Sequence, residues 1–160
     1  MIDAYAMKIA SLVGAACCMG VGAIGPAYGV GYASSRGCNA IARQPEAEGQ
    51  VIKTMLIGQA VTESPSIFAL LVAFILLFNA PAVIGLAPLC ALIGAGICMG
   101  AGAFGPGVGA GFANAEACEG VGRNPDSETV LLRTMLIGQA VSQSTSIYAL
   151  VIALMLIYVV

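Results

Sequence analysis

Apolar residues fill four long stretches of this chain, and polar residues gather in two short stretches between them. The apolar stretches cover residues 9 to about 34, 51–78, 84 to about 113, and 130–160. Each is long enough to span a bilayer, because about 20 helical residues cross a hydrocarbon core of roughly 30 Å. The pattern predicts an all-α membrane protein with four transmembrane helices.

The polar stretches, residues 36–49 and 120–128, contain proline and glycine and are predicted to be turns. Of the six basic residues only Lys8 lies at the other end of the helices, and the connection 79–88 carries no charge. Because cytoplasmic loops are enriched in Lys and Arg, we expect both turns in the cytoplasm and both termini on the opposite side. Glu116 and Glu119, near the end of the third segment, are expected to be solvated.

The second half of the chain repeats the first, so that residue n corresponds to residue n + 80. Gly25-Pro26 is matched by Gly105-Pro106, and residues 54–61 are matched by residues 134–141. The sequence therefore predicts two tandem helical hairpins, residues 1–80 and 81–160. The second hairpin begins on the side where the first one ends, so the copies are parallel and not inverted.

Glycine is concentrated in the first and third segments, and small residues let helix backbones approach closely in lipid. We expect these two segments to pack tightly as inner helices, with the bulkier second and fourth outside. Stretches that begin at Gly20 and Gly100 also fit the dinucleotide pattern G-x-G-x-x-G. That pattern requires a preceding strand, which a membrane helix does not provide, so no cofactor is predicted.

The composition supports a membrane protein and excludes several other classes. The chain is 59% hydrophobic and only 9% charged, and its mean hydropathy is +0.96. A net charge of −2 without any basic run argues against nucleic-acid binding. The six cysteines show no CxxC spacing and the chain has no histidine, so they are interpreted as small apolar residues.

One carboxylate, Glu63, lies near the centre of the second apolar segment, and Gln143 takes its place in the second copy. An ionised carboxylate in hydrocarbon is costly and points to a function by default. It must be neutralised by a proton or a cation before it can face lipid. The two copies therefore predict one working ion site and one silenced site.

These motifs resemble those of the c subunit, or proteolipid, of rotary F-type ATP synthases. The resemblance is carried by Gly25-Pro26, by the turn ARQPE at residues 42–46 and by GQAVTES at residues 58–64. Two fused hairpins with a single carboxylate also resemble the proteolipid of V-type rotary ATPases.

The resemblance implies a homo-oligomeric rotor ring in a bacterial cytoplasmic membrane. Each chain would carry one H⁺ or Na⁺ on Glu63 past a stator a subunit and couple ion flow to ATP synthesis or hydrolysis. The chain itself would hold no catalytic site for ATP. Whether single-hairpin c subunits share the ring stays open.

The resemblance also implies an ion site between neighbouring hairpins. Glu63 and Val30 would come from one hairpin, and the Val141 carbonyl, Ser144 and Tyr148 from the next. The silenced second site would comprise Gln143, Ser64, Val61, Phe68 and Ala110. Central-stalk subunits would contact the turns at Arg43, Gln44, Pro45, Arg123, Asn124 and Pro125.

The identity of the transported ion depends on the oxygen ligands. Sodium would be held by Glu63, Ser144 and Val141, but Val30 stands where sodium-binding relatives commonly have a glutamine. Hard cations need several oxygen ligands, so protons are favoured over sodium.

Two other functions remain open. A small four-helix exchanger could trade protons for a cationic substrate, although such proteins line their pockets with aromatic residues and this chain has no Trp. A structural pore without energy coupling is the third interpretation.

Overall fold

The computed structural model describes residues 4–78 and 84–159, and the predicted boundary between residues 80 and 81 lies outside these ranges. Four helical spans are long and apolar enough to cross a membrane: Ala4–Arg43, Pro45–Phe78, Leu86–Arg123 and Pro125–Tyr158. No strand occurs in the described ranges. The predicted all-α architecture with four long spans is confirmed.

Each span of the first hairpin is divided into two α-helices, and each span of the second contains one. The first span comprises α1 (Ala4–Gly22) and α2 (Ile24–Arg43), and the second comprises α3 (Glu48–Thr62) and α4 (Ser64–Phe78). The third and fourth spans are mostly the single helices α5 (Leu86–Arg123) and α6 (Glu128–Tyr158).

Ala23 and Glu63 interrupt the helices of the first hairpin, where the apolar pattern predicted continuous ones. Their backbone angles stay in the right-handed helical region, so each span continues past the interruption. A proline follows each of them, Pro26 and Pro65, although the equivalent Pro106 of the second hairpin lies inside the continuous helix α5. A proline has no N–H and leaves the carbonyl four residues earlier without its helical donor.

The predicted turns are much shorter than the polar stretches. Helix α2 continues to Arg43 and α5 to Arg123, and a single 3₁₀ turn follows each of them, Pro45–Ala47 and Pro125–Ser127. The prediction of turns over residues 36–49 and 120–128 was therefore wrong in extent. The breaks come from the prolines, because the α region is disfavoured for the residue before a proline: Gln44 has φ −139° and ψ 82°.

Glycines allow the backbones of α2 and α5 to come into direct contact. A Cβ atom added at Gly25 would overlap the backbone of Phe104, and one added at Gly107 would overlap Pro26. Gly29 and Gly111 face each other in the same way. The predicted close packing of the first and third segments is confirmed.

The interior has two apolar clusters with a polar layer between them. The larger cluster includes Met7, Leu76 and Met99, and the smaller one near the turns includes Val51 and Val121. Along the helices that connect the clusters, the buried polar residues are Thr54, Thr62, Asn114, Gln139, Gln143 and Ser146. This layer lies at the level of the predicted ion site.

Candidate ion site

One backbone carbonyl of the first hairpin accepts a hydrogen bond from a side chain of the second hairpin instead of from a helical N–H. Pro65 leaves the carbonyl of Val61 without its i+4 donor. Gln143 Nε2 donates a hydrogen bond to this carbonyl at 2.9 Å. Gln143 is 9% exposed, and its Oε1 has no hydrogen-bond partner among the described residues. The residues predicted for the silenced site, Gln143 and Val61, are thus in contact.

A second glutamine on the same face of α6 joins three helices. Gln139 Nε2 lies 3.1 Å from Gly58 O, 3.3 Å from Thr62 Oγ1 and 3.0 Å from Ala110 O. Its side chain is fully buried, and its Oε1 has no hydrogen-bond partner among the described residues. Ala110, predicted for the silenced site, therefore borders the Gln139 amide through its backbone.

The remaining residues of the predicted silenced site lie on the helix after the interruption. Ser64 is partly buried, and Phe68 is partly buried against the larger apolar cluster. A different serine, Ser146, is hydrogen-bonded at this level: its Oγ donates to the Gly102 carbonyl at 3.2 Å. Pro106 deprives that carbonyl of its helical donor, so a side chain compensates for this proline as well.

Glu63 lies at the helix interruption, and its carboxylate has no hydrogen bond or ion pair with any described residue. It is partly exposed, in contrast to the buried Gln143. Val30 contributes a carbonyl that accepts a hydrogen bond from Ser34 Oγ at 2.9 Å. Gln59 Nε2 donates in turn to Ser34 Oγ at 2.8 Å. No group of three or more His, Cys, Asp or Glu side chains in the described ranges is placed to hold a metal.

The other half of the predicted working site lies on an open face of α6. Val141 is 70% exposed and Tyr148 is 66% exposed. Ser144 Oγ donates to the Val141 carbonyl at 2.7 Å. Within the described part of the chain, no hydrogen bond joins these three residues to Glu63. The equivalent residues of the first hairpin are partly buried, so one face is covered by the chain itself and its counterpart is open.

Glu119 is not solvated, and that expectation was wrong. Its side chain is only 12% exposed and lies 2.8 Å from Arg36 of the first hairpin. Arg43 and Arg123 also contact the same carboxylate, at 3.6 Å and 2.5 Å. Three basic groups at the turn end of the molecule therefore converge on it, whereas Glu116 is exposed as expected.

The predicted stalk-contact residues lie at the turns. Arg43 and Arg123 keep 68% and 72% of their side chains exposed despite the shared carboxylate. Together with Gln44 they help to line a cavity of about 150 Å³ between the two turns. Pro45, Asn124 and Pro125 complete the two turns, and Asn124 Nδ2 donates to Ser127 Oγ at 2.8 Å.

Sequence reasoning missed three buried polar residues of this layer, Thr54, Thr62 and Asn114. Asn114 is fully buried and donates from Nδ2 to the Met55 carbonyl at 3.1 Å. Thr62 is also fully buried, and its Oγ1 donates to the Gly58 carbonyl at 2.8 Å. The available signal for Asn114 was a lone amide at the end of a glycine-rich apolar segment.

Two parallel hairpins that pack through glycines, with one carboxylate at mid-span and its amide counterpart at the hairpin interface, define a duplicated membrane hairpin protein. The chain belongs to the ATP synthase C-subunit family, whose model matches residues 13–76 and again residues 93–156. The two matches start and end at equivalent positions of the repeat. The predicted relationship to the c subunit is confirmed, and the chain is an integral membrane protein.

Similar proteins each match about half of this chain. The ATP synthase c subunit of Natranaerobius thermophilus is 54% identical over 82 residues, which cover 51% of this chain and 94% of the relative. The c subunit of Alkaliphilus oremlandii is 47% identical over 45% of this chain and 81% of the relative. The second ATP synthase c subunit of Cereibacter sphaeroides is 45% identical over 47% of this chain and 90% of the relative.

Proposed function

We propose that this chain is the ion-carrying subunit of an ATP synthase rotor ring, with one working carboxylate, Glu63, for every two hairpins. The observation that carries the proposal is the contrast between two equivalent positions. Gln143 is buried and bonded to its own chain, whereas Glu63 is partly exposed and its carboxylate has no partner among the described residues. Membership of the C-subunit family supports the ring and its contact with a stator a subunit.

The position of Glu63 fits an ion carrier. It is the only Asp, Glu, Lys or Arg between Lys53 and Glu116. Its distance along the helix from Val51, near the turn end, is about 18 Å at 1.5 Å per residue. The carboxylate is neutral when it faces lipid and ionises where the stator admits water. Alternation between these two states transports one ion per chain.

The ion site lies between two copies of the chain. One copy supplies Glu63 and Val30, and the next supplies the Val141 carbonyl, Ser144 and Tyr148. The contact inside the chain supports this arrangement, because Gln143 donates to the carbonyl of Val61 in the position where a loaded Glu63 would donate to Val141. A protonated carboxyl and an amide are both hydrogen-bond donors, whereas an ionised carboxylate is only an acceptor.

The proposed ion is the proton. Val30 offers no side-chain oxygen. A proton needs one carboxylate and one acceptor, whereas sodium needs several free oxygens at short range. Carbodiimide labelling of Glu63 at fixed pH should be insensitive to millimolar sodium, and strong protection by sodium would show that the metal occupies the site.

The two turns face the cytoplasm and contact the central stalk. The support is the clustering of Arg36, Arg43 and Arg123 at one end of the molecule, with Lys8 alone at the other. An amine-reactive reagent that does not cross the membrane should therefore label Lys8 only from the side opposite the ATP-hydrolysing subunits. Labelling of Lys8 from the cytoplasmic side would reverse the orientation.

The experiment that tests the function is carbodiimide labelling of the intact complex. Carbodiimides attack protonated carboxyl groups in apolar surroundings, so Glu63 should be labelled once per chain and ATP-driven ion pumping should stop. Glu63→Gln should abolish pumping while the ring still assembles, and Glu116→Gln serves as the matched control that leaves pumping unchanged. Full pumping by the Glu63→Gln variant would overturn the proposal.

A further inference from the structure

One carboxylate joins the turn ends of the two hairpins. Glu119 on α5 lies 2.8 Å from Arg36 and 3.6 Å from Arg43, both on α2. Its own helix supplies a third partner, Arg123, at 2.5 Å. Arg36 and Arg43 are about two helical turns apart on α2, so the carboxylate bridges the distance between them. The turn end of each hairpin is therefore tied to the other through a single side chain.

Stability alone does not explain a carboxylate at this place. The side chain of Glu119 is only 12% exposed, and taking a charge out of water costs free energy that its ion pairs have to offset. Apolar residues in place of a buried ion pair often leave a protein equally stable or make it more stable. A carboxylate with three basic partners does fix the direction in which each of them lies, and this points to a role in orientation.

The repeat contains this cluster only once. The equivalent of Glu119 in the first hairpin is Asn39, and the equivalent of Arg36 in the second hairpin is Glu116. Both of these residues are exposed. Arg43 and Arg123, in contrast, are equivalent to each other and occur at both turns. Each chain therefore has two matching arginines, one for each turn, and one carboxylate that contacts both.

The two matching arginines keep donors for a further partner. The side chains of Arg43 and Arg123 are 68% and 72% exposed, whereas that of Arg36 is 37% exposed. Arg43, Glu119 and Arg123 line the cavity of about 150 Å³ between the turns. A guanidinium group has five N–H donors and no acceptor, so a group that binds here must present acceptor oxygens.

We propose that Glu119 is a positioning residue for the contact with the central stalk. Its carboxylate holds Arg43 of the first turn and Arg123 of the second together, so that both offer their remaining N–H groups to acceptor oxygens of the stalk. Binding that orders a long side chain costs free energy, and Glu119 orders two of them beforehand. The stalk thus binds the two turns of a chain as one unit. The inference rests on the stalk contact of the proposed function and adds the residue that organises it.

The test measures the affinity of the isolated central stalk for the intact ring. Glu119→Gln keeps the size of the side chain and removes its charge, and it should weaken stalk binding about tenfold because both arginines must then be ordered on binding. The matched change Glu116→Gln, about one helical turn earlier on α5, should leave the affinity unchanged. Both variant rings should keep the native mass and the carbodiimide labelling of Glu63, because the ion site does not include this cluster.

A double-mutant cycle separates positioning from a purely structural role. Arg43→Ala should weaken stalk binding in the native ring, and clearly less in the Glu119→Gln ring, where Arg43 is no longer held. Should the Glu119→Gln ring not assemble, Glu119→Asp, which keeps the charge on a shorter side chain, enters the same cycle under the same criterion.

Two results would overturn the inference and leave the ion-carrying function intact. One is native affinity of the Glu119→Gln ring for the stalk. The other is an equal loss of affinity from Arg43→Ala in both backgrounds. A native ring that does not bind the stalk at all would overturn the proposed stalk contact together with the role of Glu119.

Discussion

Gln143 illustrates how one side chain can replace both a functional group and a backbone donor. Its amide nitrogen donates to the carbonyl that Pro65 leaves free, and a carboxyl at the same place could do so only when protonated. Under the proposed function, the amide permanently supplies the hydrogen-bond donor that a carboxyl supplies only when protonated. A buried carbonyl without a donor costs about 1–3 kcal/mol, which explains why an apolar residue would be a poor replacement.

Gln143→Glu should create a second working carboxylate in each chain. Carbodiimide should then label position 143 as well as Glu63, and the number of ions carried per ATP should rise. The introduced carboxyl can be neutral because its protonated form donates to Val61. The number of ions carried per ATP is measured with the complex reconstituted in vesicles. The variant Gln139→Glu is the control, because it introduces a buried acid outside the site. An unchanged ratio in an assembled ring would contradict the silenced-site interpretation.

At the scale of helices, the first hairpin differs from the second by its two interruptions. Pro26, Pro65 and Pro106 each remove one helical hydrogen bond, but only Pro26 and Pro65 follow an interruption, and Pro106 lies inside the continuous helix α5. The interruption at Glu63 places the carboxylate at the joint between α3 and α4. In the second hairpin the equivalent residue lies within one uninterrupted helix. The proline and the acid therefore occur together on the working hairpin.

Pro65→Thr should make the Val61 carbonyl less dependent on Gln143, because a threonine N–H can restore the helical bond. Gln143→Ala in the native background leaves the Val61 carbonyl without a donor and should destabilise the chain by about 1–3 kcal/mol. The same change in the Pro65→Thr background should cost clearly less. Thermal dissociation of the ring is measured for the native chain, the two single variants and the double variant. This double-mutant cycle gives the coupling energy between positions 65 and 143. Equal costs in both backgrounds would show that Gln143 and Val61 do not interact.

At the scale of the whole molecule, a ring of duplicated chains carries half as many ions per turn as a ring with a carboxylate in every hairpin. Each ion that crosses 100 mV contributes about 2.3 kcal/mol, so such a ring gains half the energy per turn. Fewer ions per turn suit a pump that builds a steep gradient, or a synthase that is driven by a large one.

Assembly should also change the reactivity of one thiol. Cys38 is exposed in the single chain, whereas its repeat equivalent Cys118 is fully buried between the hairpins. If the contact between copies has the same register as the contact between the two hairpins, Cys38 should become protected in the ring. We expect a maleimide to label Cys38 much more slowly in the native ring than after dissociation in detergent. Equal rates would argue against the common register.

Much of this protein follows from its sequence alone. The apolar stretches required four spans because unpaired backbone groups cannot lie in lipid, and the repeat required two parallel hairpins. The substitution of Gln143 for Glu63 singled out the carboxylate without any coordinates. The sequence did not reveal the extent of the turns, the interruptions at Ala23 and Glu63, or the burial of Glu119.

Those features depend largely on contacts between residues that are far apart in the chain. The carbonyl of Val61, which Pro65 leaves without a helical donor, gains a donor only because Gln143, far along the sequence, is packed against it. Glu119 is enclosed because Arg36 reaches it across the hairpin interface. A hydrophobic pattern fixes which face of a helix is apolar, but it does not fix which helix covers that face. The tertiary structure decided that the hairpins pack with one interface closed and its repeat open.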